Sequence, residues 1–112
     1  MNEIAAGTVL DLKTLIRVHP GRITSRKLML PHPSSPLPAE QEWELFAMDG
    51  GETISPETIP QLQFIHVLEG VLHLKVAGVP SRLAAGASIF VPAGIWHEYE
   101  AEGTCIFLKM RL

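Results

Sequence analysis

An all-β domain of the sandwich or barrel type is the fold this chain predicts, and three observations carry that prediction. From Trp43 onward, short runs rich in valine, isoleucine and aromatic residues recur at even spacing. Each gap between them holds a glycine turn signal: Asp49-Gly50-Gly51, Glu69-Gly70, Ala77-Gly78, Ala85-Gly86, Pro92-Ala93-Gly94 and Glu102-Gly103. The whole chain is 112 residues, the size of one small domain.

The elements follow in order. Leu10–Val18 predicts the one helix, with Asp11 as its cap, Leu10 and Leu15 as a hydrophobic staple, and Leu12, Leu15 and Ile16 on its apolar face. Pro20-Gly21 ends it. Ile23–Leu30 reads as a strand. The segment from Pro31 to Pro38 cannot extend it, because its four prolines lack the ladder donor. The stretch Pro31–Glu42 is therefore expected to be the most mobile internal segment or an arm against a partner subunit. Seven strands then follow: Trp43–Met48, Gln63–Leu68, Val71–Val76, Val79–Leu83, Ser88–Val91, His97–Glu100 and Thr104–Met110. Residues 1–112 form a single domain, in which 1–42 supply the helix, strand and proline loop and 43–112 the barrel. Spacing alone leaves an immunoglobulin-like sandwich and a jelly roll equally open.

Composition narrows the function classes. The net charge of −3 and the lack of any basic cluster beyond Arg26-Lys27 give no field for a nucleic-acid backbone. No apolar run approaches the ~20 residues of a membrane span, and the N-terminus lacks the basic and apolar halves of a leader, so a cytoplasmic protein is expected. The single cysteine, Cys105, cannot form an internal disulfide and fits a reducing compartment. Hydrophobic content of 46% against 19% charged residues is more apolar surface than one small monomer readily hides, which points to a homodimer. The strand Ile23–Leu30, taken as a free element, and the outward set Phe64, His66 and Leu68 are the expected contact surfaces.

The stretch from Gly86 to His97 reads G-x5-P-x-G-x2-H without a gap. It spells a strand, a turn set by Pro92 and Gly94, and a histidine opening the return strand. This resembles the second motif of the cupins, small β-barrels whose motif ends in a metal-binding histidine directed into the barrel. The first cupin motif, G-x5-H-x-H-x3,4-E-x6-G, can be laid on Gly51–Gly70 with its glycines intact. Glu57 then stands at the first histidine position, Ile59 at the second and Gln63 at the carboxylate. Fifteen residues separate Gly70 from Gly86, a spacing similar to that of the small single-domain microbial cupins of the cupin-2 type. The resemblance implies a cupin jelly roll carrying a short N-terminal helix, with a depleted metal motif.

On that template His97, Tyr99 and Ala101 share the inward face of one strand, and Gln63, Ile65 and Val67 that of another. His97 can act as a ligand anchor, a proton carrier or a metal ligand; as a plain core residue it would be satisfied by Tyr99 or Gln63. Gln63 suits amide recognition of a small polar molecule better than metal binding, since it carries no charge to offset a dication. Glu57 is a rim carboxylate. Ile59 has no donor atom and makes its wall apolar. Trp96 is the aromatic residue best placed to touch a ligand, and Tyr99 could assist a proton transfer. His66 and His73 alternate outward and do not restore the ligand count, and Cys105 reads as an apolar core residue.

No cofactor is favoured; a divalent transition metal, if bound, would be held by His97, Glu57 and Gln63. The leading expectation is a protein that binds a small organic molecule in the barrel without a tightly held metal. The alternative is a cupin-type isomerase or oxygenase, metal-assisted or metal-free, working through Glu57, Gln63 and His97. A third is a dimerisation or effector module with a barrel filled by its own side chains.

Overall fold

A computed structural model describes residues 4–29, 31 and 42–112. The expected mobility of the segment from Pro31 to Glu42 falls almost wholly outside them.

Among the described residues nine strands form two antiparallel sheets. They are β1 (Ile23–Lys27), β2 (Glu42–Met48), β3 (Thr53–Glu57), β4 (Gln63–Glu69), β5 (Val71–Val76), β6 (Val79–Ala84), β7 (Ser88–Val91), β8 (His97–Ala101) and β9 (Cys105–Arg111). The larger sheet runs β1-β2-β9-β4-β7 and the smaller β3-β8-β5-β6. This is the jelly roll that the two motifs imply.

Alternation decides what lies between the sheets. In β4, Gln63, Ile65 and Val67 are buried while Phe64, His66 and Leu68 are only partly covered; in β8, His97, Tyr99 and Ala101 are buried. Both faces match the period-two reading. The core joins these to Met48, Leu72, Leu74, Leu83, Val91, Cys105 and Phe107. Strand β9 is buried along Cys105–Lys109 on both faces, because it lies at the centre of the larger sheet. Leu45, Ala47, Ile106 and Leu108 are its second, outer layer: they are buried yet stand apart from the inner core.

The N-terminal segment brings its one short turn near β4. The expected helix over 10–18 is a single 3₁₀ turn, Leu12–Leu15, capped by Asp11, whose carboxylate accepts from the Lys13 amide. Ile16 is already extended, with φ −147°. Four residues of turn cannot sustain a helix against the β-branched Thr14, Ile16 and Val18. The segment is held instead by tertiary bonds: Arg26 donates to the Leu15 carbonyl at 2.6 Å, and the Gly21 amide donates to Asp49 at 2.7 Å. Strand β1 is shorter than the 23–30 expected. It is also not a free element, since it pairs in register with β2 of its own chain, from Ile23 opposite Met48 to Lys27 opposite Glu44.

One strand escaped the sequence reading. Thr53–Glu57, read as a proline-flanked rim, is β3, paired with β8 across a bulge between Ile54 and Glu57. Pro56 is tolerated there because β3 is an edge strand, where a missing N–H breaks no ladder bond on the open side. The β5–β6 connection is the two-residue turn Ala77-Gly78, with φ of 51° and 81°, the positive pair that a tight hairpin requires. Gly70 links β4 in one sheet to β5 in the other. A Cβ there would meet the Thr104 carbonyl oxygen at 2.0 Å, so only glycine fits. Among the described residues no helix is long and apolar enough to cross a membrane.

Candidate functional site

The site is the end of the barrel where β4 begins, β8 begins and β9 finishes. Gln63 and Val91 are register partners, as are Gln63 and Arg111, Ile65 and Lys109, and Glu57 and His97. Gly94 fixes the rim. Its φ of +72° is what demands glycine, since a Cβ would meet nothing within 4 Å, and its amide donates to the Ile59 carbonyl at 2.7 Å. Ile59 therefore serves the rim with its backbone, and its half-buried side chain offers no donor.

His97 is 1% exposed and Gln63 wholly buried. The His97 Nδ1 lies 2.9 Å from the Ile95 carbonyl. A carbonyl only accepts, so Nδ1 carries the proton and Nε2 presents its lone pair. That lone pair accepts from the Gln63 amide nitrogen at 3.3 Å. The bond fixes the amide's orientation and leaves Gln63 Oε1 buried without a partner. Of the two neighbours expected to satisfy His97, the amide does so; Tyr99 contributes only an edge-on ring contact at 5.4 Å.

A residue the sequence reading did not weigh sits beside them. Lys109 is only 6% exposed, with its ammonium 4.9 Å from the centre of the Phe46 ring and 5.7 Å from that of Tyr99. Those rings belong to a stack, Phe46 on Phe107 at 5.1 Å and Phe107 on Tyr99 at 5.7 Å. Such faces attract a cation. Burial nevertheless lowers the amine below its ordinary value, while the Glu57 carboxylate acts against that shift. Among the described residues no carboxylate is in ion-pair contact with Lys109. The signal for it was available, since Cys105, Phe107 and Lys109 share one strand phase.

Tyr99 and Arg111 complete the group. The Tyr99 hydroxyl and Arg111 Nε are both buried and unpartnered. Burial, with the Glu57 charge, raises the Tyr99 phenol, so it keeps its proton and acts as a donor. Arg111 also reaches Glu42 at 3.6 Å. Glu57 and Arg111 act on both Tyr99 and Lys109, which places all four charges and dipoles in one neighbourhood. An unsatisfied buried polar atom costs about 1–3 kcal/mol, so several at one end of a barrel are what a recognition site looks like.

The remaining candidates lie outside this group. Trp96 is 61% exposed and lines a depression of about 290 Å³ with Lys75, Ala77, Gly78, Glu98 and His97. A depression of about 120 Å³ on the outer face of the smaller sheet involves His73, Pro80 and Glu100. His66 pairs with Ser88 at 2.7 Å and His73 with Glu102 at 2.7 Å, both on the outside. Cys105 is buried and its thiol is pushed up to about 12, which makes it a poor nucleophile.

The four-ligand metal centre implied by the resemblance can be tested on these donors. Ile59 supplies nothing, the lone pair of His97 Nε2 is taken by the Gln63 amide, and two cations, Lys109 and Arg111, stand in register with Ile65 and Gln63 on the neighbouring strand. Among the described residues no three His, Cys, Asp or Glu side chains converge. This donor set does not fit a tightly held divalent ion.

Comparison with known proteins bears on the fold. A conserved protein of unknown function from Streptococcus pyogenes superposes with a TM-score of 0.85 at 24% identity, covering 99% of this chain and 91% of that one. A cupin superfamily protein from Desulfitobacterium hafniense gives 0.84 at 20%, covering 99% and 95%. A salicylate 1,2-dioxygenase from Pseudaminobacter salicylatoxidans gives 0.70 at 17%, covering 84% of this chain but 27% of that one. At these identities the likeness is one of fold. No curated protein sequence matches the chain. The family model of the cupin domain matches residues 44–110, well over half of the sequence and both motif regions, and the chain belongs to the cupin domain family.

Proposed function

We propose that this cupin binds a small organic molecule at the polar end of its barrel without a tightly held metal, in the cytoplasm and as a homodimer. The observation that carries the reading is the set of buried, unpartnered polar atoms, Gln63 Oε1, the Tyr99 hydroxyl and Arg111 Nε, gathered beside the His97–Gln63 bond. Donors and acceptors turned toward one another's neighbourhood, with aromatic walls, are the usual make-up of a small-molecule site. What disfavours metal is the donor chemistry, in particular Ile59 and the cations of β9.

The test is elemental analysis combined with amide NMR against a library of small polar compounds in the presence of chelator. The expected result is clearly less than one equivalent of transition metal per chain, a melting temperature indifferent to chelator, and ligand-induced shifts confined to β4, β8 and β9. One equivalent of metal bonded to His97 and Glu57 would overturn it. A metal-free proton-transfer enzyme is the second reading, favoured by the register that sets Glu57 opposite His97. Turnover that disappears in His97→Ala, with the fold retained, would establish it instead.

A further inference from the structure

We propose that the outer face of the larger sheet is the surface on which two copies of this chain pair, sheet against sheet around a two-fold axis. The inference rests on the homodimer reading above and names its interface.

The two outer faces of the barrel differ in kind. On the smaller sheet, His73, Lys75 and Arg82 stand against Glu98, Glu100 and Glu102, with ion pairs among them, as on a solvated face. On the larger sheet the registers set Trp43 beside Met110, Met110 beside Phe64 and Phe64 beside Phe90, one row across four adjacent strands. Alternation turns that row outward, because Met48, Phe107, Ile65 and Val91, in the opposite phase of the same strands, belong to the inner core. The Phe64 and Phe90 rings are 5.0 Å apart, and Phe90 is 57% exposed. Leu62 and Leu112 continue the outward phase of β4 and β9, bonded through the Leu112 amide to the Leu62 carbonyl, and are 40% and 45% exposed. The bordering polar groups, His66 and Ser88, bond to each other at 2.7 Å, and Arg26 at the β1 margin is committed to the Leu15 carbonyl. The outward phase of Trp43–Ala47, Phe64–Leu68, Ser88–Phe90 and Ile106–Met110 contains no Asp, Glu, Lys or Arg.

Charge and shape choose the occupant. The chain carries a net charge of −3, so a second copy is repelled from any face that repeats that charge and meets no such repulsion on this one. The same net charge turns away anionic lipid headgroups, and a cationic partner finds its carboxylates on the smaller sheet instead. A flat aromatic row is matched by another such row at the ~10 Å spacing of packed sheets, and the chain supplies that row itself. An isologous contact needs a self-complementary patch, which a uniformly apolar row is. It forms the dry, charge-poor centre of an interface whose standard size is roughly 800 Å² per copy.

The experiment is sedimentation velocity of the full chain at micromolar concentration, with circular dichroism of each variant to follow the fold. Wild type should sediment as a dimer. Phe90→Glu, which carries a carboxylate into the contact from each copy, should weaken the dimer by roughly a hundredfold and leave the fold, since Phe90 is largely exposed in the single chain. Leu112→Glu, beyond the end of β9, should act in the same direction. Lys75→Glu, on the outer face of the smaller sheet, should leave the dimer unchanged. A dimer that survives both Phe90→Glu and Leu112→Glu, or one that is lost in Lys75→Glu, would overturn this face while the homodimer reading stands. A wild-type monomer, whether it floats with phosphatidylcholine vesicles or covers the face with another part of its own chain, would overturn both.

Discussion

The two ends of this barrel are made from the same strands and differ in almost every other respect. At one end Met48, Val67, Leu72, Ala101 and Cys105 pack without solvent, and the connections close tightly, with the Gly51 amide on the Ala101 carbonyl at 2.9 Å. At the other end, a few residues along β4, β8 and β9, the same inward phase presents Gln63, His97, Tyr99, Lys109 and Arg111. Phe107 stands at the boundary, with rings on either side. Stability and recognition are thus separated along each strand, and substitutions at the two ends should move stability in opposite directions.

The largest effect is expected at the boundary. Phe107→Ala should cost about 3–5 kcal/mol in equilibrium denaturation, since Phe107 is wholly buried and both its ring neighbours lose their contact. Gly70→Ala should cost about 2–4 kcal/mol, combining a positive φ with a backbone clash that cannot relax by moving a side chain. Lys109→Met should change the sign: an isosteric apolar residue against Phe46 and Tyr99 should raise stability by about 1–2 kcal/mol in the absence of ligand. A loss of stability in that variant would mean that the polar end supports the fold as the dry end does.

Titration sharpens the same contrast. The Lys109 amine is lowered in the folded state relative to 10.5, so between its folded and unfolded values the unfolded chain binds more protons and stability rises with pH. Tyr99, raised from 10, contributes stability below that value and loses it as pH climbs further. Wild type should therefore gain stability on the approach to pH 10 before falling, whereas Lys109→Met should only fall. The smallest effect lies on the outer surface. Arg82, and then His73, hold the exposed Glu102 carboxyl at about 2 against an ordinary 4.5. Its contribution is present above 4.5 and lost as pH falls through about 2, and Arg82→Ala should flatten that acid limb of a melting-temperature profile.

Much of the fold was legible because turns and alternation are local. The glycines at 70, 86 and 94 and the phase of Gln63, Ile65 and Val67 needed no tertiary knowledge. Strand β3 was hidden by Pro56, whose meaning depends on lying at an edge, and the N-terminal helix shrank to one turn because its residues are held by β1 and Asp49. At the site, His97 and Gln63 were legible through the motif and their shared inward phase. Lys109 and Arg111 share the inward phase of Cys105 and Phe107 but were passed over, because a basic residue near the end of a strand ordinarily reads as solvated; the central place of β9 in its sheet keeps Lys109 from water.

That central place has a kinetic consequence. Strand β9, the latest in sequence, is the one on which both β2 and β4 hydrogen-bond, and Trp43 finds its partner Met110 across most of the chain. Neither flanking strand can complete its ladder before Cys105–Arg111 is available to both. Folding should accordingly be on the slow, millisecond-to-second scale of high contact order, with two strand edges awaiting their neighbour meanwhile.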